Sequence, residues 1–230
     1  MLYSILNSGG NIDFVDIVMH ILATLTVMIV VLPFHELAHG FVANKLGDDT
    51  AKRAGRLTFN PIQHLDPIGA ACLLLVGFGW AKPVPVNMYK LKNPKRDMAL
   101  VALAGPVANL IAAFVGCILN VCWVHLFQNN FGTKIWFLAI LYFLYYYVVV
   151  NVSLAVFNLI PLPPLDGSKI LGAFLPEDLY QKQLMNEDKL SWILVILVMT
   201  NVLDKIMDPP IDFFLTVLYT LAELPFKLFG

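Results

Sequence analysis

The stretch VLPFHELAHGFVANK, residues 31–45, decides how the chain folds, because it places ionisable side chains inside an apolar run. On an α-helix each residue advances by about 100°, so His35 and His39 lie about 40° apart on one face. Two imidazoles in that arrangement can bind one metal ion, and Glu36 projects beside them without being a ligand. This H-E-x-x-H pattern predicts a metal site in which Glu36 takes a proton from metal-bound water.

The same three side chains have a second interpretation. In a membrane helix they can pair with polar groups of neighbouring helices and carry out no chemistry. Ionisable groups inside a membrane are costly and are usually functional. The pattern therefore favours the metal site.

The composition indicates an integral membrane protein. The chain is 59% hydrophobic and 13% charged, with a mean hydropathy of +0.74, and a water-soluble core of this length would expose large apolar patches. The net charge of -1, without a Lys/Arg cluster, predicts no nucleic-acid partner. Residues 1–12 lack Lys and Arg, and no cleavage pattern follows, so we expect the first apolar segment to be retained. The predicted surroundings are the lipid bilayer.

Five apolar segments are candidates for transmembrane helices. They are residues 14–46, 98–124, 135–160, 190–207 and 211–229. The first is longer than the roughly 20 residues that a bilayer needs, whereas the last two are close to the minimum. We therefore predict an all-α bundle of about five transmembrane helices, in which residues 190–229 form a C-terminal helical pair.

A shorter apolar run, residues 66–80, lies between two basic loops and is interrupted by proline and glycine. The positive-inside rule places both loops in the cytoplasm, so the run is expected to enter and leave on the same side. It predicts a re-entrant loop or a small membrane-embedded β-hairpin that packs against the metal site. The same rule places the N-terminus outside and the metal site toward the cytoplasm.

The stretch NLIPLPPLDG, residues 158–167, predicts the third ligand. Its prolines must unwind the end of the preceding helix, so an extended segment delivers Asp166 on the same side as His35. Two histidines and one aspartate with an open fourth position are typical of catalytic zinc, and the hard carboxylate oxygen argues against copper. The alternative is that Asp166 is an ordinary residue of an aqueous loop.

His64 and Asp66, in TFNPIQHLDP at 58–67, are alternative ligands. That stretch is turn-rich and has no helical histidine pair. The competing interpretation of His64 is a polar group satisfied at the membrane surface.

Three motifs, FHELAHG at 34–40, AGPVANL at 104–110 and NLIPLPPLDG at 158–167, occur in this order within apolar segments. Together they resemble the site-2 protease family of intramembrane zinc metalloproteases, in its short bacterial or archaeal form without a PDZ or CBS domain. The resemblance covers about residues 14–175, which we take as the catalytic core. It implies that residues 1–230 form a single membrane-embedded metalloprotease domain.

The resemblance also implies roles for individual residues. His35, His39 and Asp166 would bind one Zn²⁺ per chain, Glu36 would activate the water, and Asn158 would hydrogen-bond the substrate backbone or the oxyanion. The implied activity is a zinc endopeptidase of the plasma membrane. It would hydrolyse peptide bonds within or near transmembrane segments of membrane-protein substrates.

Two other functions compete with this one. A divalent-cation transporter can use the same His and Asp groups, but transporters of that kind show internal repeats with matching broken helices, and this chain has one copy of each motif. A scaffold that has lost catalysis is the other alternative, and the intact Glu36 argues against it.

Overall fold

The computed structural model describes residues 14–76, 81–200 and 202–229, and this part of the chain is almost entirely helical. The predicted all-α membrane fold is confirmed. The helices are α1 (Phe14–Thr26), α2 (Leu32–Lys45), α3 (Thr50–Arg53), α4 (Pro61–His64), α5 (Pro67–Val76), α6 (Pro94–Phe131), α7 (Ile135–Asn158), α8 (Asp166–Phe174), α9 (Glu177–Met185), α10 (Glu187–Met199) and α11 (Val202–Phe229).

A π-helical turn, Val27–Val31, joins α1 to α2, so that Phe14–Lys45 is one continuous rod of 32 residues. Pro33 accounts for the turn, because proline removes one backbone donor and its ring crowds the carbonyl four residues earlier. The rod ends just before Gly47, as predicted, and Gly47 has a φ of +112° that other residues rarely adopt.

The long helices α6 and α7 form the centre of the molecule. α6 exceeds the predicted 98–124 at both ends, and only a short turn separates it from α7, which closely matches its prediction. The two helices and α11 share an apolar cluster of Ala113, Cys117, Val121, Val148, Val152, Val156 and Ala222. α6 also packs against α2 and α8, and thereby connects this cluster to the predicted site.

Fewer helices than predicted are long and apolar enough to span a bilayer. Within the described residues they are Phe14–Lys45, Pro94–Asn129 and Ile135–Leu159. α10 and α11 meet at 84° and count together as at most one further span, giving three or four instead of five. α10 has 13 residues, fewer than the roughly 20 that a span requires.

The predicted break in the C-terminal pair, around Pro209 and Pro210, is wrong. α11 continues through both prolines, and α10 ends earlier, at Met199. The apolar side chains of Met207 and Ile211 pack against the α6–α7 cluster on either side of the prolines. This packing outweighs the two missing backbone donors.

The two residues that flank segment 66–80, Leu65 and Ala81, lie next to each other and form an antiparallel bridge. Its described part is the helix α5, and no β-hairpin occurs among the described residues. This geometry agrees with a re-entrant segment. Residues 77–80 lie outside the described part, as do residues 1–12, on which the prediction of a retained N-terminal segment depends.

Candidate metal centre

The helix α2 places His35 and His39 one turn apart, as the sequence spacing predicts. Both side chains are buried, and their Nε2 atoms lie 3.0 Å from each other. The π-helical turn and Pro33 immediately precede this pair. Sequence reasoning missed this feature, although π-helical turns are frequent at functional sites.

Each histidine uses its other ring nitrogen to bond α6. His35 Nδ1 lies 2.8 Å from Asn109 Oδ1, and His39 Nδ1 lies 2.7 Å from the carbonyl oxygen of Val101. Both partners are acceptors, so both Nδ1 atoms carry the proton and donate it. The Nε2 atoms therefore present lone pairs to the same point, which is the tautomer that metal-binding histidines adopt.

The close approach of α6 depends on Gly105. A Cβ atom built on this glycine would lie 2.4 Å from His39 Nε2 and 2.5 Å from His35 Nε2. No larger residue fits there without moving the imidazoles. Small residues such as Gly105 allow two helices in a bilayer to approach each other closely, and here they bring α6 against the histidine pair.

Asp166, the first residue of α8, completes the cluster. α7 ends at Asn158, and the chain turns through the prolines and places Asp166 Oδ2 at 3.4 Å from His35 Nε2 and 3.2 Å from His39 Nε2. The next residue is Gly167, where a Cβ would lie 2.3 Å from the carbonyl oxygen of Leu159, so the turn is too tight for a side chain.

One ligand atom from each of the three residues lies within 4.8 Å of the others. Asp166 Oδ2 is buried and accepts no hydrogen bond, and the two Nε2 lone pairs face each other. Such a concentration of buried acceptors is unfavourable unless a cation lies between them. The donor set, two imidazole nitrogens and one carboxylate oxygen, fits zinc with an open coordination position.

Glu36 is buried beside the histidines and is not a member of the ligand cluster. Its Oε2 atom accepts a hydrogen bond of 2.8 Å from the backbone N–H of Val84. Val84 follows residues 66–80 in the chain. The sequence predicts that residues 66–80 pack against the metal site, and it does not identify this contact of Val84.

The other predicted residues are not members of the ligand cluster. Asn158, the last residue of α7, donates its side-chain N–H to the carbonyl of Leu154 at 2.9 Å. His64 is fully buried, bonds the carbonyl of Thr58, and is not in the ligand cluster. Asp66 accepts bonds from backbone N–H groups at the start of α5, which makes it a helix cap.

The fold and the cluster together define a multi-pass membrane protein with a buried His–His–Asp group that can hold a metal. The profile of a family described as Peptidase family M50 matches residues 119–203. The chain is 40% identical over 188 residues to the protein named Putative zinc metalloprotease YwhC of Bacillus subtilis (strain 168). These aligned residues cover 80% of this chain and 84% of that protein.

Two further relatives carry similar names. Putative zinc metalloprotease Rip2 of Mycolicibacterium smegmatis is 30% identical over 181 residues, which cover 76% of this chain and 65% of that protein. Putative zinc metalloprotease MJ0611 of Methanocaldococcus jannaschii is 33% identical over 141 residues, which cover 60% and 63%. No solved structure matches the chain.

The chain therefore belongs to peptidase family M50, the site-2 protease family, and it is a zinc metalloprotease of the membrane. This confirms the resemblance that the three motifs indicated. The alternative of a cation transporter is not favoured.

Proposed function

We propose that this metalloprotease is an intramembrane endopeptidase that cleaves peptide bonds within or near transmembrane segments of other membrane proteins. The observation that carries the proposal is the convergence of two imidazole lone pairs and a carboxylate oxygen, with Glu36 beside them, on a helix long enough to span the bilayer. A site at that depth is suited to substrates that are themselves embedded in the membrane. The unit proposed to act is a single domain over residues 1–230, with its core at about 14–175.

His35, His39 and Asp166 are proposed to hold one zinc ion. A zinc ion held there would supply Lewis-acid chemistry, which would polarise the scissile carbonyl and make the attacking water more acidic. Glu36 then acts as the general base, since its carboxylate lies next to the ligands without joining them. It accepts the proton of the attacking water and gives it to the leaving amine, a role worth roughly 10²- to 10⁴-fold in rate.

Asn158 is proposed to bind the substrate backbone or the oxyanion. Only one N–H of its side-chain amide is engaged by Leu154. The second N–H and the carbonyl oxygen leave one donor and one acceptor for a peptide group.

The active site is proposed to face the cytoplasm, with the N-terminus outside, because basic residues flank the re-entrant segment on both sides. Single cysteines at the exposed positions Lys52 and Lys92, in a background without the native cysteines, test this orientation. Both should react with a membrane-impermeant reagent only from the cytoplasmic side. Labelling of the two positions from opposite sides would contradict it.

The decisive experiment compares the wild type with Glu36→Gln, which keeps the shape of the side chain and removes its basic carboxylate. Both proteins should contain equal zinc, whereas cleavage of transmembrane substrates in liposomes should fall by at least about 10²-fold in the variant. Undiminished cleavage by the variant would defeat the proposed mechanism. Zinc flux by the wild type, without cleavage of any membrane substrate, would defeat the proposed function.

A further inference from the structure

The stretch from Lys82 to Asn87, which we call the crossing segment, has no regular secondary structure and contacts α2 through Val84, near Glu36 and Gly40. The buried Val84 packs at its centre, and a Cβ added to Gly40 would lie 3.1 Å from Val84 Cγ1. The absence of a side chain at Gly40 therefore lets the segment approach the helix that carries the histidines.

Within the crossing segment the backbone donors are few. Pro83 and Pro85 have no N–H, so Val84 supplies the only donor among these three residues. That donor bonds Glu36 Oε2 at 2.8 Å. A buried carboxylate requires such a partner, and the bond also fixes the direction of its two oxygen atoms.

Both ends of the crossing segment are anchored. At the first end, the Lys82 N–H donates to the His64 carbonyl at 2.7 Å, and the Lys82 carbonyl accepts from Arg56 Nη2 at 2.7 Å. At the other end, the Asn87 N–H donates to Asp48 Oδ2 at 2.6 Å.

Asp48 is a fully buried carboxylate that has no part in the proposed chemistry. Its other oxygen, Oδ1, accepts bonds from the N–H and the hydroxyl of Thr50. Oδ1 thus bonds the start of α3, whereas Oδ2 bonds the crossing segment. Because Asp48 lies just beyond the end of α2, its bond to Asn87 connects the crossing segment to the helix that carries Glu36.

We propose that Asp48 and the Val84 amide are positioning groups for catalysis: Asp48 holds the crossing segment, and the Val84 N–H orients the Glu36 carboxylate. This inference rests on the proposed function, because it assigns Glu36 the role of base. With one oxygen bonded to the backbone, Glu36 keeps a single orientation and directs the other oxygen to the water. Small displacements of a positioned group cost up to about 10²-fold in rate, so the anchors matter although they touch no substrate.

The first test needs no proteolysis. Amide hydrogen exchange is measured by mass spectrometry on the full-length, chelator-treated protein. The Val84 amide should be protected in the wild type, and it should exchange at least about tenfold faster in Glu36→Ala and in Asp48→Asn. Asp49→Asn is the matched control, since Asp49 pairs with Arg53 and Lys90 at the surface, whereas the Asn87 N–H donates to Asp48.

The second test is kinetic. Asp48→Asn retains a carbonyl oxygen that accepts from Thr50. Its NH₂ group replaces the oxygen that accepts from the Asn87 N–H, so only the bond to the crossing segment is lost. It should lower kcat about 10- to 100-fold and leave KM and zinc content nearly unchanged. Replacing the Val84 N–H by an ester oxygen should have the same effect. The same replacement at Val86, whose N–H bonds no described residue, is the control.

Unchanged Val84 exchange in Glu36→Ala would overturn the contact. Faster exchange in Asp48→Asn with unchanged kcat, or an equal loss of kcat for the esters at Val84 and Val86, would overturn the positioning role. If the exchange pattern is as expected but the wild type cleaves no membrane substrate, the proposed function fails and the catalytic role fails with it.

Discussion

Two regions of the molecule share the helix α6 and differ in what they bury. In the first, which we call the site region, α2, α8 and residues 94–109 bury histidine, aspartate and asparagine side chains. In the second, which we call the core region, α7, α11 and residues 113–121 share a cluster of alanine, valine and cysteine side chains. Helices in a bilayer gain little from the hydrophobic effect, so the core region depends on close packing.

The difference teaches how stability and chemistry are divided along α6. Contacts in the core region are non-directional, so an added methyl group there changes the packing energy without breaking a hydrogen bond. Contacts in the site region are directional hydrogen bonds whose geometry fixes the imidazole lone pairs. Matched substitutions in the two regions should therefore separate loss of metal from loss of stability.

The largest effect is expected when a ligand is removed. His39→Ala and Asp166→Ala should each lose most of the bound zinc, because two remaining ligands bind the ion poorly. The loss of zinc affinity should exceed the roughly 10- to 100-fold caused by changing a residue that hydrogen-bonds a metal ligand. Elemental analysis of the purified proteins measures this. Asp204→Ala, an exposed carboxylate of α11, is the control, and full zinc retention in both ligand variants would contradict the assignment.

A pair of glycines on α6 makes the comparison sharper. Gly105→Ala places a methyl group against the imidazoles and should abolish stoichiometric zinc binding. Gly116→Ala meets Tyr147 and Val148, each 2.8 Å from the added Cβ, and should destabilise the protein by about 1–3 kcal/mol while the zinc content stays normal. Zinc content and thermal unfolding are measured on both variants. Equal zinc content in the two would remove the distinction between the regions.

The two fully buried asparagines, Asn109 and Asn151, provide a smaller contrast. Asn109→Ala removes the acceptor for His35 Nδ1 and should weaken zinc affinity about 10- to 100-fold. Asn109→Asp keeps an acceptor and should retain the metal. Asn151 donates to the Tyr147 carbonyl within α7, so Asn151→Ala should leave zinc affinity unchanged. Competition with a chelator gives the zinc affinities. Equal losses of affinity at both positions would refute the inference that Asn109 supports the ligand His35.

The smallest effect concerns pH. Burial opposes ionisation of Asp48, but hydrogen bonds from Thr50 and Asn87 outweigh it, so its pKa in the folded protein lies below the usual value. The ionised Asp48 carboxylate therefore adds to the free energy of unfolding. This contribution is complete above the unfolded pKa of about 3.9 and disappears as the pH falls through the folded pKa. The difference in Tm between wild type and Asp48→Asn should be constant near pH 6 and should shrink below about pH 4. A difference that does not change with pH would contradict this.

Much of the architecture could be predicted because its causes are local. The lengths of α1–α2 and α7 follow from apolar runs that end at glycine or proline signals. The break between α10 and α11 could not be predicted, because the packing of Met207 and Ile211 on the core region decides it. Within the described residues the number of candidate spans is three or four instead of five, because α10 has only 13 residues and cannot cross a bilayer alone.

The histidine pair could be predicted from the sequence, because helical periodicity acts over four residues and needs no other part of the chain. The membrane environment could also be predicted, from composition. Only the tertiary structure decided which atoms complete the site. Asn109 is 74 residues from His35, Val101 is 62 from His39, and Val84 is 48 from Glu36. Such contacts depend on how closely distant segments approach, which glycines at 40 and 105 permit and which no local pattern specifies.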